Sequence, residues 1–191
     1  MYSIKHYDLN IPTTVTTLEL GAPMELREEW AKRAYNLNHF SYKSNVKAQM
    51  SSYHIWAETK VYNKLIDNIQ ILINHTCKNK PLNKYFKIEE AWSAIYREGE
   101  YAISHDHSPC LFSFCYYIKC GKPTTPLVFD QLDWRVDPKE DMLIIFPSNL
   151  WHSVPSHKGT DRIMISGNGQ LVNADQLNSP RHYPKELVNI D

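Results

Sequence analysis

The sequence has no excess of charge of one sign. Lysine plus arginine and aspartate plus glutamate number 21 each over 191 residues, so no global field draws the chain toward nucleic acid, anionic lipid or acidic substrates. A long apolar run is also missing. The most apolar short stretch, "MLIIFP" at 142–147, falls far below the roughly 18 residues that suggest a membrane span. The opening "MYSIKHYDLN" has none of the apolar middle of a secretory leader. The four cysteines, Cys77, Cys110, Cys115 and Cys120, form no C-x-x-C pair. A chain of this length buries enough core to fold without staples, so they read as reduced thiols. No internal repeat or low-complexity tract is present, which sets aside solenoids and disordered tails. These absences leave a soluble cytoplasmic chain, with residues 1–191 read as one domain.

Local patterning divides the chain. Residues 24–37 carry Leu26, Trp30, Ala34 and Leu37 at the three-to-four spacing of an amphipathic helix. A second helix is predicted over about 57–76, with Val61, Leu65, Ile69, Leu72 and Ile73 as its stripe. Between them, 38–56 is polar, studded with aromatics and aperiodic, which reads as a long loop, either plain surface connection or substrate-facing. From Tyr85 the period becomes two, with Phe86, Ile88, Trp92, Ala94 and Tyr96 on alternate positions and a turn at Gly99. Seven further strands are predicted at 101–107, 111–119, 126–130, 134–136, 141–147, 151–155 and 162–168, separated by proline and glycine. So many short strands predict a mainly β fold with flanking helices, a sandwich or jelly roll. Residues 1–84 are its helical and loop support, 85–170 the β core and 171–191 a polar surface tail.

Chemistry concentrates in "SHDHS". In an extended strand, positions i and i+2 face the same way, so His105 and His107 can converge while Asp106 points away unless a bulge turns it. Imidazole pairs of this kind suit iron, zinc and similar divalent ions, although H-x-H alone is a weak signal. His152, just beyond a buried strand and a proline turn, can supply a third nitrogen. His157 competes for that place, but "PSHKGT" reads as an exposed loop. Arg162 opens the last strand with Met164, Ser166 and Asn168 on its face. A cation there can grip a carboxylate, helped by the Ser166 hydroxyl, or simply pair on the surface with Asp161.

The order of these features resembles the iron(II)- and 2-oxoglutarate-dependent oxygenases, in particular a prolyl-hydroxylase-like branch. The motif elements stand here as Trp92, Gly99, Tyr101, His105, His107, Ser113, Tyr116, Tyr117, "PLVF" at 126–129, "FPS" at 146–148, His152, Val154, Arg162, Ser166 and Asn168. They cover about 90–168. The resemblance implies a double-stranded β-helix, with the histidine pair ending the second core strand, the distal histidine on the seventh and the arginine on the eighth. It implies His105, His107 and His152 as ligands of iron(II), and Arg162 with Tyr117 on the distal carboxylate of 2-oxoglutarate. Ser166, Tyr96, Asn168 and Ser113 are further cosubstrate candidates. One departure is plain: the wider superfamily uses H-x-D…H, whereas the third ligand position here is His107. Three neutral ligands leave the metal one unit more positive than the usual triad does.

The implied reaction consumes dioxygen, releases succinate and carbon dioxide, and hydroxylates a small-molecule or peptide substrate. Two rivals stand beside it: a three-histidine dioxygenase that does without 2-oxoglutarate, and a jelly-roll binding protein without turnover. The absence of a basic helix argues against nucleic acid as the partner.

Overall fold

A computed structural model describes residues 13–37, 40–41, 44–76, 83–177 and 179. The N-terminal part contains β1 (Thr16–Glu19), α1 (Met24–Tyr35), β2 (Phe40–Ser41), β3 (Val46–Lys47), β4 (Gln49–Met50), α2 (Ile55–Glu58) and α3 (Asn63–Thr76). Eight strands follow: β5 (Lys84–Tyr96), β6 (Tyr101–His105), β7 (Phe112–Lys119), β8 (Leu127–Phe129), β9 (Trp134–Val136), β10 (Met142–Pro147), β11 (His152–Val154) and β12 (Arg162–Asn173). The short helix α4 (Ala174–Leu177) comes last. The strands pair antiparallel into two sheets, ordered β1-β10-β7-β12-β5-β4-β2 and β3-β6-β11-β8-β9. The architecture is a jelly roll of two facing sheets, with the helices against the outer face of the larger one. None of the described helices is long and apolar enough to cross a membrane.

Two apolar layers follow from strand alternation. On β7, Phe112, Phe114, Tyr116 and Ile118 join the helices' Trp30, Ala34, Leu65 and Ile69 in one cluster. Cys115 and Tyr117 of the same strand point between the sheets, with Phe129, Phe146 and Met164. Strand β12 divides the same way: Ile163 and Ile165 meet the helices, and Met164 faces the interior. Burying one such aliphatic or aromatic side chain contributes roughly 1.5–3 kcal/mol, so these two layers dominate the folding energy.

Strand β5 departs from simple alternation. Phe86 and Ile88 pack with the helices, yet Trp92, Ala94 and Tyr96 pack between the sheets. The register explains the switch: Asn168 pairs with Glu90 and Gly169 with Ile88, leaving Glu89 as an extra residue. A bulge of this kind inverts the facing of everything after it.

Other expectations are also revised. The single helix predicted over 57–76 is broken, because Thr59 is extended (φ −161°, ψ 142°). That break tucks Tyr62 under α1, where its hydroxyl donates to the Trp30 carbonyl at 2.6 Å. The 38–56 loop, where described, contains three short strands: β2 and β4 extend the large sheet beyond β5, and β3 caps the small one. Leu111, the first residue of the strand predicted over 111–119, lies before β7 and is exposed. The tail from Leu171 begins as the end of β12 and α4; apart from Ser179, everything from 178 lies outside the described residues. Cys110, Cys115 and Cys120 are free thiols, and Cys77 lies outside the described residues.

The central strands approach each other too closely for a side chain at Gly167. An added Cβ would stand 2.4 Å from the Glu90 carbonyl oxygen and 2.6 Å from the Phe114 ring. Gly167→Ala should therefore cost about 1–3 kcal/mol through overpacking, read as a lower urea midpoint. An unchanged midpoint would contradict this close approach.

Candidate metal centre

His105 and His152 sit directly opposite each other on the paired strands β6 and β11. The ladder shifts register here, since Val154 pairs with Ala102 and three residues of β6 span two of β11. This bulge lets Ala102 and His105 both face inward, although an odd number of positions separates them. It lies before His105, so it does not bring Asp106 around; Asp106 instead accepts a hydrogen bond from the Ser108 hydroxyl at 2.8 Å. On the outer face, one carboxylate ties the two histidine strands together. Asp130 accepts from Ser104 Oγ at 2.6 Å and from Ser153 Oγ at 2.9 Å.

His107 lies just past the end of β6 and is held by its backbone. Its N–H donates to the Ser148 carbonyl at 2.8 Å, and its own carbonyl accepts from Cys110 N–H at 2.9 Å. The ring centroids of His105, His107 and His152 lie 4.5–5.0 Å apart. One potential ligand atom from each lies within 4.8 Å of the others. The tautomers of two rings follow from their partners. Nδ1 of His105 stands 2.7 Å from the Ile103 carbonyl and Nδ1 of His152 stands 2.8 Å from that of Leu150. A carbonyl only accepts, so each Nδ1 carries the proton and each Nε2 keeps its lone pair for a metal.

Burial keeps these imidazoles neutral. Desolvation, followed by the neighbouring His152 and His105, pushes His107 down to about 3. Desolvation and then His105 push His152 down to about 4. His105 is lowered as well, chiefly by burial. Neutral, mutually close nitrogens are the state a divalent cation requires.

The opposite end of the inter-sheet space is built around Arg162. It pairs with Tyr96 across β12 and β5, while Met164 pairs with Tyr117 of β7. The guanidinium is fully buried. Its Nη1 donates to the Thr125 carbonyl at 3.1 Å, and its Nη2 donates to Tyr117 Oη at 3.2 Å and lies 3.5 Å from Met164 Sδ. The Tyr96 and Tyr117 rings lie 5.1 and 5.0 Å from its central carbon. Nε has no hydrogen-bond partner among the described residues. Among the described residues, no carboxylate lies within ion-pair distance; Arg27–Glu140 is the ion pair found among them. A buried cation without a counter-ion is costly, and an anionic ligand would offset that cost. Burial pushes both phenols above their ordinary range although Arg162 pulls them down, so Tyr96 and Tyr117 are neutral. Tyr117, accepting from Arg162, still has its own proton to donate to an anion.

Ser166 stands four residues along β12 from Arg162, about 13 Å by strand rise. It lines the cavity with the histidines and lies 3.5 Å from Cys115 Sγ, rather than touching Arg162. Asn168 stands beside His107, Ser113 and Glu90. Ser113 shares a hydrogen bond with Ser148 at 2.8 Å. His157, read from sequence as exposed, is fully buried: it bonds Thr125 Oγ1 and the Thr160 carbonyl, each at 2.7 Å. It thereby fixes Thr125, whose carbonyl holds Arg162. Glu90 and Thr125 were not singled out in the sequence and Ser148 only as the last residue of "FPS", because partners distant in the chain bring them to the site.

The two imidazoles pushed furthest down set a pH dependence. Unfolded, each takes a proton near pH 6.5; folded, His152 does so at about 4 and His107 at about 3. The unfolded chain binds more protons between those values, so stability falls as pH drops below 6.5, by on the order of 1 kcal/mol per pH unit for each ring. Urea melts of the metal-free chain at pH 7 and pH 5 should show this loss, reduced in His152→Gln. Equal stability at both pH values would contradict neutral burial.

No protein-family model and no curated protein matches the sequence. Solved structures do match in fold. One is the viral collagen prolyl hydroxylase of Paramecium bursaria Chlorella virus-1 in its 2-oxoglutarate complex, with TM-score 0.59 and 15% identity over 81% of this chain and 94% of that one. HygX of Streptomyces hygroscopicus, with nickel and 2-oxoglutarate bound, gives TM-score 0.63 and 10% identity over 90% and 92%. A Trichoplax adhaerens prolyl hydroxylase, in complex with a hypoxia-inducible-factor peptide fragment, gives 0.63 and 15% over 87% of each chain. The chain therefore has the fold of the 2-oxoglutarate- and iron(II)-dependent oxygenases, with three clustered histidines between its sheets.

Proposed function

We infer that this chain is an iron(II)- and 2-oxoglutarate-dependent oxygenase that hydroxylates a small-molecule or peptide substrate, releasing succinate and carbon dioxide. The observation that carries this reading is Arg162: a guanidinium with no counter-ion among the described residues, buried in the same inter-sheet interior as three neutral imidazoles. Both halves of the donor set fit their groups. His105, His107 and His152 are nitrogen donors of the kind iron(II) accepts. Arg162 and Tyr117 are the cation and hydroxyl that suit a terminal carboxylate.

When bound, the metal and its 2-oxo acid supply the oxidising chemistry; the chain supplies placement and shelter. His105 and His152 present Nε2 lone pairs from strands locked by Asp130. Arg162 takes the distal carboxylate and is itself held by Thr125, which His157 fixes. Tyr96 and Tyr117 cover the guanidinium and keep water from it. The cavity lined by the histidines measures only about 30 Å³. A five-carbon diacid needs more room than that, which movement of the flexible Met164 side chain away from Nη2 would supply. The solved structures of similar fold include one with a peptide and one with hygromycin B. That range supports a peptide or small-molecule substrate here and does not choose between them.

Variants at the two ends of the site test the reading. Arg162→Met removes the unpaired charge at similar volume, so the ligand-free chain should melt at the same or a higher temperature. It should also lose 2-oxoglutarate binding at least tenfold by calorimetry, while zinc(II) binding persists. His105→Ala or His152→Ala should instead abolish tight metal binding. If Arg162→Met destabilises the free chain and leaves 2-oxoglutarate affinity unchanged, Arg162 is a structural cation and the reading fails. Metal binding with no response to 2-oxoglutarate would favour a three-histidine dioxygenase.

A further inference from the structure

The three histidines are not equivalent, and the difference starts at Glu90. Asn168, which is 2% exposed, makes three contacts. Its Oδ1 accepts from Ser113 Oγ at 2.7 Å, its Nδ2 donates to Glu90 Oε1 at 2.5 Å, and the same Nδ2 lies 3.3 Å from His107 Nδ1. An ionised carboxylate only accepts, so the atom of Asn168 that faces Glu90 must be nitrogen. The amide cannot turn without setting oxygen against oxygen. Its second hydrogen then points at His107 Nδ1, which must offer a lone pair. A neutral imidazole has one bare nitrogen, so the proton of His107 sits on Nε2. His105 and His152 have the opposite tautomer, fixed by the carbonyls of Ile103 and Leu150.

We propose that Glu90, acting through Asn168, is a positioning residue that holds His107 back as the third metal ligand, leaving His105 and His152 to carry the metal. This rests on the metal-site reading above. For His107 Nε2 to bind an ion, its proton must move to Nδ1 and Asn168 must turn to present Oδ1. Turning brings Oδ1 against the Glu90 carboxylate. With an amide in place of that carboxylate, every group in the turned network finds a partner. The introduced amide N–H and His107 Nδ1–H both donate to Asn168 Oδ1. Asn168 Nδ2 donates to Ser113 Oγ, and Ser113 donates onward to Ser148, 2.8 Å away.

The consequence runs against simple electrostatics. Removing a negative charge near a cation site ordinarily weakens binding; here Glu90→Gln should strengthen it. Outer-shell partners of metal-bound histidines typically shift affinity 10–100-fold, so a gain of about tenfold for zinc(II) is expected. The test uses the full chain, with zinc(II) as a diamagnetic probe and calorimetry for affinity. In the native background, His107→Ala should cost far less affinity than His105→Ala or His152→Ala. In the Glu90→Gln background, it should cost about as much. Nitrogen-15 imidazole spectra of the metal-free chain should show Nε2–H at His107 and Nδ1–H at His105 and His152, with His107 altered in Glu90→Gln. A folded Glu90→Gln variant that binds zinc(II) equally or more weakly overturns the proposal, as does an Nδ1–H tautomer at His107 in the native chain. If the native chain binds zinc(II) no better than His105→Ala does, the metal site itself fails and this inference fails with it.

Discussion

The site depends on the antiparallel placement of β12 between β5 and β7. That pairing sets Arg162 against Tyr96 at one end and Asn168 against Ser113 at the other, with Met164 and Ser166 between. Every second side chain of the strand is thereby committed to the inter-sheet space, including a full positive charge. The helices and the outward layer of Ile163, Ile165, Phe114 and Tyr116 stabilise the sheet strongly enough for it to hold that charge with no carboxylate partner among the described residues. In a fold whose net stability is marginal, an unpaired buried guanidinium is tolerated only where something offsets its cost. A carboxylate-bearing ligand is the simplest such compensation.

The small sheet performs the complementary task. Its strands carrying histidine are short, and they keep their aim through a bulge in β6 and the shared acceptor Asp130. Backbone carbonyls then fix which nitrogen of His105 and of His152 is free. His107 answers to a different partner, so the cluster combines two prepared donors with one whose readiness depends on an amide and a carboxylate. Position and tautomer are separate constraints, and proximity of the rings satisfies only the first.

Much of this was legible in the sequence wherever a signal is local. The amphipathic spacing of Leu26, Trp30, Ala34 and Leu37 marked the helix that became α1. The predicted core strands match β5–β12 closely, with His105 ending the second, His107 just past it, and His152 and Arg162 on the seventh and eighth. What escaped was set by partners distant in sequence. The extra residue in β5 is visible only in its register with β12. The short strands β2, β3 and β4 are strands because β5 and β6 offer them edges; by propensity they read as loop. His157 looked exposed among small polar residues, yet it is enclosed against Gly121, where an added Cβ would stand 3.1 Å from its Nε2. Glu90 carries no motif at all and matters only through what Asn168 must do to satisfy it.

The most direct measurement is optical. The iron(II)-loaded chain, kept free of oxygen, is titrated with 2-oxoglutarate while the visible spectrum is recorded. The account predicts a weak charge-transfer band from the chelated 2-oxo acid, saturating with the cosubstrate and requiring far more of it in Arg162→Met. Iron(II) bound by His105 and His152 with no band at any 2-oxoglutarate concentration would contradict it.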